Sequence, residues 1–213
     1  LVLAFFFVSA TVHGCLTHLA PMLTDRGISP RDAARATSLL GGAVLVGRVV
    51  TGYLLDRFFA PRVALVFFSG AFIGVLLLWS GVAHGVALLS AFLVGLGMGA
   101  EVDIIAYLVS RYFGLQAFAS IYGYAFAAYI LGGLAGPLVM GLGVDWTGAY
   151  QWPLGIFLVV MLVAIGLMTR LGPYAASDGA ARHLSGTPGD PEIAWGSRGR
   201  PMEAPSADAE LQA

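Results

Sequence analysis

Read from the amino end, the chain is a succession of long apolar runs broken by very short polar turns. The runs fall at roughly 1 to 23, 36 to 55, 62 to 83, 86 to 110, 117 to 142 and 152 to 171. Each is on the order of 20 residues, the length that carries an α-helix across a bilayer. A closed barrel is the other way to satisfy every backbone group in lipid, but its strands alternate apolar and polar over about ten residues, and these runs are continuous. The pattern predicts an all-α polytopic membrane protein with six transmembrane helices in residues 1–172. From about residue 173 to Ala213 it changes to Ala, Gly, Ser, Pro and scattered charges with no periodic apolar face, which predicts a disordered tail.

The turns show how neighbouring spans are joined. Thr24 to Asp32 forms the most polar loop, with Ser29-Pro30 placed as a helix start. Asp56-Arg57 and Pro61 lie so close together that the second and third spans must be antiparallel neighbours. Gly70 and Gly74, Gly95 and Gly99, and Gly132 and Gly136 are small-xxx-small pairs inside spans, the spacing that lets helix backbones approach in lipid. Gly52-xxx-Asp56 ends the second span and Gly141-xxx-Asp145 the fifth, 89 positions later. Middle helices that correspond in this way predict two triplets, a 3+3 inverted repeat.

Composition agrees and narrows the function. Hydrophobic residues make up 58% of the 213 residues and charged ones 11%, and the net charge of −1 gives no footprint for nucleic acid. Cys15 is the sole cysteine, which excludes an intrachain disulfide and a thiolate metal cluster. There is no nucleophile elbow, metal-spaced His pair or Cys dyad, so neither an enzyme nor a cofactor is indicated. The chain opens inside an apolar run without an initiator methionine, and the expectation is a fragment.

Charges inside the spans are the candidate chemistry, because each needs a partner or an aqueous cavity. Arg48 lies about 12 Å along its helix from Asp56, and Asp103 lies about the same distance from Arg111 at the same membrane face. The second and fourth spans run in the same direction, so Arg48 and Asp103 match in depth. Glu101 is about 200° around the helix from Asp103 and cannot face the same arginine. Ser9, His13 and Thr17 draw a polar stripe at four-residue spacing, in which His13 either couples a proton or bonds to a neighbouring backbone or hydroxyl group. Tyr107 and Tyr124 are further candidate donors to a carboxylate. Arg48 is the candidate anion ligand and Glu101 or Asp103 the candidate proton carrier; the structural alternative is a buried ion pair.

Gly52-Tyr-Leu-Leu-Asp56-Arg57 resembles the loop motif of the major facilitator superfamily, with Phe59 and Ala60 standing where the motif has Gly and Arg. Together with His18-Leu-Ala-Pro21, Gly47-Arg48, Ala100-Glu-Val-Asp103 and Arg111-Tyr-Phe-Gly114, residues 1–172 resemble the C-terminal six-helix half of such a twelve-helix transporter. The similarity is to the prokaryotic monocarboxylate-porter-like and oxalate/formate-antiporter-like branch. The resemblance implies that Arg48 binds substrate carboxylate and that Gly52, Asp56 and Arg57 form a gating loop. It also implies a prokaryotic inner membrane with the C-terminus cytoplasmic, and a partner N-terminal half beyond this chain. Val44 stands where animal relatives carry an acid, and the chain has no lysine. The expected function is secondary active transport of a small organic anion, a monocarboxylate, by alternating access; the rival is a non-transporting membrane sensor or assembly protein.

Overall fold

The computed structural model describes residues 1–81, 84–172 and 174. The predicted tail, apart from Tyr174, lies outside them. Six helices follow one another: α1 (Val2–Asp25), α2 (Pro30–Arg57), α3 (Ala60–Trp79), α4 (His84–Phe113), α5 (Phe118–Thr147) and α6 (Gln151–Thr169). Each is long and apolar enough to cross a membrane, and there is no strand among the described residues.

Helix ends are where the pattern misleads. α1 runs through Pro21 and past the end of its apolar run to Asp25. The proline removes a single donor, and the Thr24 hydroxyl returns to the Ala20 and Pro21 carbonyls, at 3.2 and 2.9 Å, covering acceptors in the last turn. α2 begins where Ser29-Pro30 marks a helix start, six residues before its apolar run. Ser29 caps it, accepting from the Asp32 amide at 3.2 Å, with Pro30 in the first turn. The Ser29 hydroxyl also donates to Asp32 at 2.7 Å, and Arg35 pairs with Asp32 at 2.9 Å. α3 ends at Trp79, four residues short of the predicted 83. α5 extends to Thr147, where Gly148 (φ 67°) turns its amide back to the Val144 carbonyl at 2.7 Å.

The packing pattern is that of two interlocked triplets. α1 packs on α5 and α2 on α4, so the first helix of each triplet crosses the middle helix of the other. Likewise α3 packs on α4 and α6 on α1. Exchanging the triplets leaves this set of neighbours unchanged, which is what a 3+3 repeat requires. The two principal crossings rest on glycine. A Cβ at Gly136 would lie 2.7 Å from the Ala10 carbonyl carbon, and one at Gly47 would lie 2.6 Å from the Leu96 carbonyl oxygen. Gly47 and Gly136 are themselves 89 positions apart, so the repeat extends two turns into the bundle. Gly95, Gly99 and Gly132 bear on backbone in the same way, whereas Gly70 faces open space and only Gly74 of that pair is packed.

The core is aliphatic and aromatic, with Phe5 edge-on to Phe68 at 5.8 Å and Phe157 closing over Gly14. At one membrane face Tyr174 folds back after α6. Its hydroxyl accepts from the Ala60 amide at 3.0 Å and its ring packs on Phe59 and Tyr112.

Candidate functional site

The candidate site gathers where α2, α4, α5 and α1 come together. A cleft of about 520 Å³ opens beside the end of α2, lined by Gly52, Asp56, Asp103, Tyr107, Ser110 and Phe118. Asp103 is half-buried in its wall, and the Arg48 charge acts on it across the α2–α4 crossing. Arg48 itself is exposed on α2, and among the described residues no carboxylate lies within ion-pair distance of it. The two groups therefore lie within electrostatic reach of each other without forming an ion pair.

Glu101 lies on the other side of α4. It is 0% exposed, and neither carboxyl oxygen has a hydrogen-bond partner. Buried carboxyls are ordinarily satisfied, so an orphan at mid-span needs a reason. Its neighbour in charge is Tyr129 of α5, which lies within electrostatic reach of both Glu101 and Arg48.

Tyr129 also joins α5 to the polar stripe of α1. The Ser9 hydroxyl donates to the Tyr129 carbonyl at 2.7 Å, and the His13 ring stands edge-on to the Tyr129 ring at 5.6 Å. His13 Nδ1 lies 3.0 Å from the Ser9 carbonyl and 3.3 Å from its hydroxyl. Ser9 has one hydroxyl proton and directs it to Tyr129, so Nδ1 must be the donor and neutral His13 keeps its lone pair on Nε2. Thr17 closes the stripe by donating to the His13 carbonyl at 2.7 Å. The stripe is thus satisfied by backbone.

Tyr129 is the residue that spacing alone did not single out. It ends a ladder of stacked rings, Phe118, Tyr122, Phe126 and Tyr129, with centroids 5.3, 5.6 and 5.5 Å apart and interplanar angles of 10°, 19° and 23°. The ladder leads from the cleft mouth to His13. Aromatic residues recurring every three or four positions were the available signal. Of the two tyrosines that the sequence singles out, Tyr124 is 74% exposed, and Tyr107 lines the cleft with its hydroxyl accepting from Arg111 at 3.0 Å under the same guanidinium.

In the loop motif, Asp56 faces the cleft while the Arg57 guanidinium stacks over Tyr53 at 4.5 Å. Arg57 ends α2, where a cation suits the helix dipole. Among the described residues no three or more His, Cys, Asp or Glu side chains gather as a metal site would require.

A bundle of six spanning helices built as two interlocked triplets, with charges held at mid-span beside a cleft, defines an integral membrane protein of the transporter type of fold. The sequence model of the Major Facilitator Superfamily matches residues 1–198, and the chain belongs to that superfamily. It is also 27% identical over 172 residues to the 3-(3-hydroxy-phenyl)propionate transporter of Escherichia coli (strain K12). That alignment covers 79% of this chain and 43% of the relative, so the chain spans less than half of that protein's length.

Proposed function

We propose that this bundle works as one half of a secondary transporter for a small carboxylate, paired with a second six-helix half and alternating in access about the cleft. The arrangement of Arg48, Asp103 and Tyr129 at mid-span carries the reading. An arginine there costs several kcal/mol unless something repays it, and Arg48 is left without a close carboxylate. A substrate carboxylate on its planar fork repays that cost, and Asp103 is placed to release the anion by competing for the same charge. Glu101 is the candidate proton carrier, since an orphaned carboxyl in a dry site costs least while it holds its proton.

The substrate class is a monocarboxylate bearing a ring. The relative's substrate is an arylpropionate, and the ring ladder from Phe118 to Tyr129 offers aromatic faces along the way to Arg48. The loop of Asp56 and Arg57, at the cleft mouth, is the proposed gate and lies on the cytoplasmic side. The test is uptake by proteoliposomes containing the protein at its full natural length, comparing 3-phenylpropionate with propionate under an imposed proton gradient. Saturable uptake of the ring-bearing acid, lost in Arg48→Lys at unchanged protein level, is expected. Uptake that Arg48→Lys leaves intact removes the arginine from the site, and no uptake of any carboxylate favours a sensing or assembly role.

A further inference from the structure

A second concavity lies at the opposite membrane face, where α3 ends and α6 begins. It has a volume of about 570 Å³ and is lined by Trp79, Trp152, Gly155, Ile156 and Val159 together with Gln151 and Val160. The local sequence builds it. Trp79 Nε1 donates to the Gln151 carbonyl at 3.1 Å, which ties the two helix ends and lays the Trp79 indole along the opening. Gly155 forms the floor, and a Cβ there would only touch Trp79, at 3.6 Å. Trp152, Ile156 and Val159 are 69%, 51% and 62% exposed and lie on one side of a spanning helix. From Trp152 to Val159 the groove follows α6 for about 10 Å.

What stands beside the groove gives it a polarity. Arg26, just past the end of α1, donates from Nη1 to the Leu78 carbonyl, which fixes a guanidinium next to Trp79. One of its five donors is so used. Asp25 does not neutralise it. The Asp25 carboxylate instead accepts from the Tyr150 hydroxyl at 3.0 Å, and among the described residues no carboxylate lies within 4 Å of Arg26. The site combines a cation at interfacial depth, two indoles at the level where Trp prefers to sit, and an apolar channel running inward.

We propose that this groove binds an anionic phospholipid, with its phosphate on Arg26 and one acyl chain lying between Trp79 and Trp152 over Gly155. Charge complementarity selects the headgroup and the glycine floor admits the chain. The site is independent of the carboxylate cleft, which opens at the other face.

Fluorescence quenching by brominated lipid tests it. The chain has four tryptophans, and replacing Trp146 and Trp195 by Phe leaves Trp79 and Trp152 as reporters. The full chain is reconstituted in phosphatidylcholine with increasing fractions of chain-brominated phosphatidylglycerol or chain-brominated phosphatidylcholine. Half-quenching is expected at an about fivefold lower mole fraction for the anionic lipid, the preference one basic residue gives near an anionic surface. Arg26→Gln should equalise the two lipids. Gly155→Leu, which fills the channel without touching the charge, should abolish quenching at low fraction. Equal half-quenching fractions for both lipids in the parent, or a preference that survives Gly155→Leu, overturns the proposal.

Discussion

Replacing Gly136 with alanine should loosen the whole bundle, and the size of the effect follows from the crossing of α1 and α5. The new Cβ would lie 2.7 Å from the carbonyl carbon and 2.9 Å from the Cα of Ala10, and closer still to the carbonyl oxygen. These are backbone atoms and cannot swing aside. Because the carbonyl oxygen is the nearest atom, restoring ordinary contact at 3.4 Å requires α1 and α5 to separate by more than about 1 Å, enough to forfeit half or more of each dispersion contact along the seam. Overpacking of this kind costs about 1–3 kcal/mol. For a chain of this size that is roughly 3–10 °C in the thermal midpoint. The assay is thermal unfolding in one detergent at one scan rate, with Gly70→Ala and Gly166→Ala as controls, because a Cβ at either meets nothing within 4 Å. The controls should be neutral or gain up to about 1 kcal/mol from helix propensity. If Gly136→Ala melts together with the controls, the close approach is not what holds α1 to α5. Gly47→Ala should repeat the loss at the α2–α4 crossing.

Three further outcomes bear on the site and its frame. Glu101→Gln removes the ionisable group and keeps its shape; exchange of substrate across the membrane should persist while accumulation driven by a proton gradient is lost, and retained gradient-driven accumulation would exclude Glu101 as the carrier. Ser9→Ala strips the bond to the Tyr129 carbonyl and should cost about 1 kcal/mol, read as a lower midpoint; an unchanged midpoint would mean the link contributes nothing. Ser29→Ala deletes the cap of α2 and should likewise cost about 1 kcal/mol, with faster amide exchange confined to residues 31–34 as the local signature.

Much of the frame was legible because lipid imposes simple rules. Six runs of spanning length gave six helices, and Gly-xxx-Asp at Asp56 and Asp145 pointed to triplets that the packing then displays. Helix ends were less legible, since hydropathy marks where lipid stops and not where hydrogen bonding stops. α2 begins at Pro30 because Ser29 and Asp32 cap it in a polar stretch, a start that Ser29-Pro30 marks and hydropathy does not. Of the site, the depth of Arg48 and Asp103 could be counted along their helices, because both rise 1.5 Å per residue from one face. The role of Tyr129 could not be counted. It depends on the crossing of α1 and α5, which brings His13 against its ring and Ser9 to its carbonyl; the Gly132–Gly136 spacing announces a close crossing on α5 but not that α1 is the helix it meets.

The repeat also says where chemistry can reside. The same 89-position step that relates Gly47 to Gly136, Gly52 to Gly141 and Asp56 to Asp145 carries Arg48 onto Pro137. Residues that hold the crossing are duplicated, whereas the mid-span charge is not. Pro137 lies inside α5 and has no amide hydrogen, so the Gly133 carbonyl loses its helical donor on the turn that packs against His13. One triplet therefore brings a cation to the middle of the membrane, and the other a proline whose missing amide takes the usual donor from a carbonyl on the turn that packs against an imidazole. A symmetric scaffold with unlike middles gives two equivalent packing seams and a single polar pole. On the proposed reading the substrate carboxylate is held from the α2 side, and α5 carries no matching cation at the equivalent position. Exchanging Arg48 and Pro137 tests that logic directly: the scaffold tolerates proline in α5, so the loss of α2 regularity and of the proposed carboxylate binding should appear together, while a single Pro137→Ala should firm α5 and leave that binding unchanged.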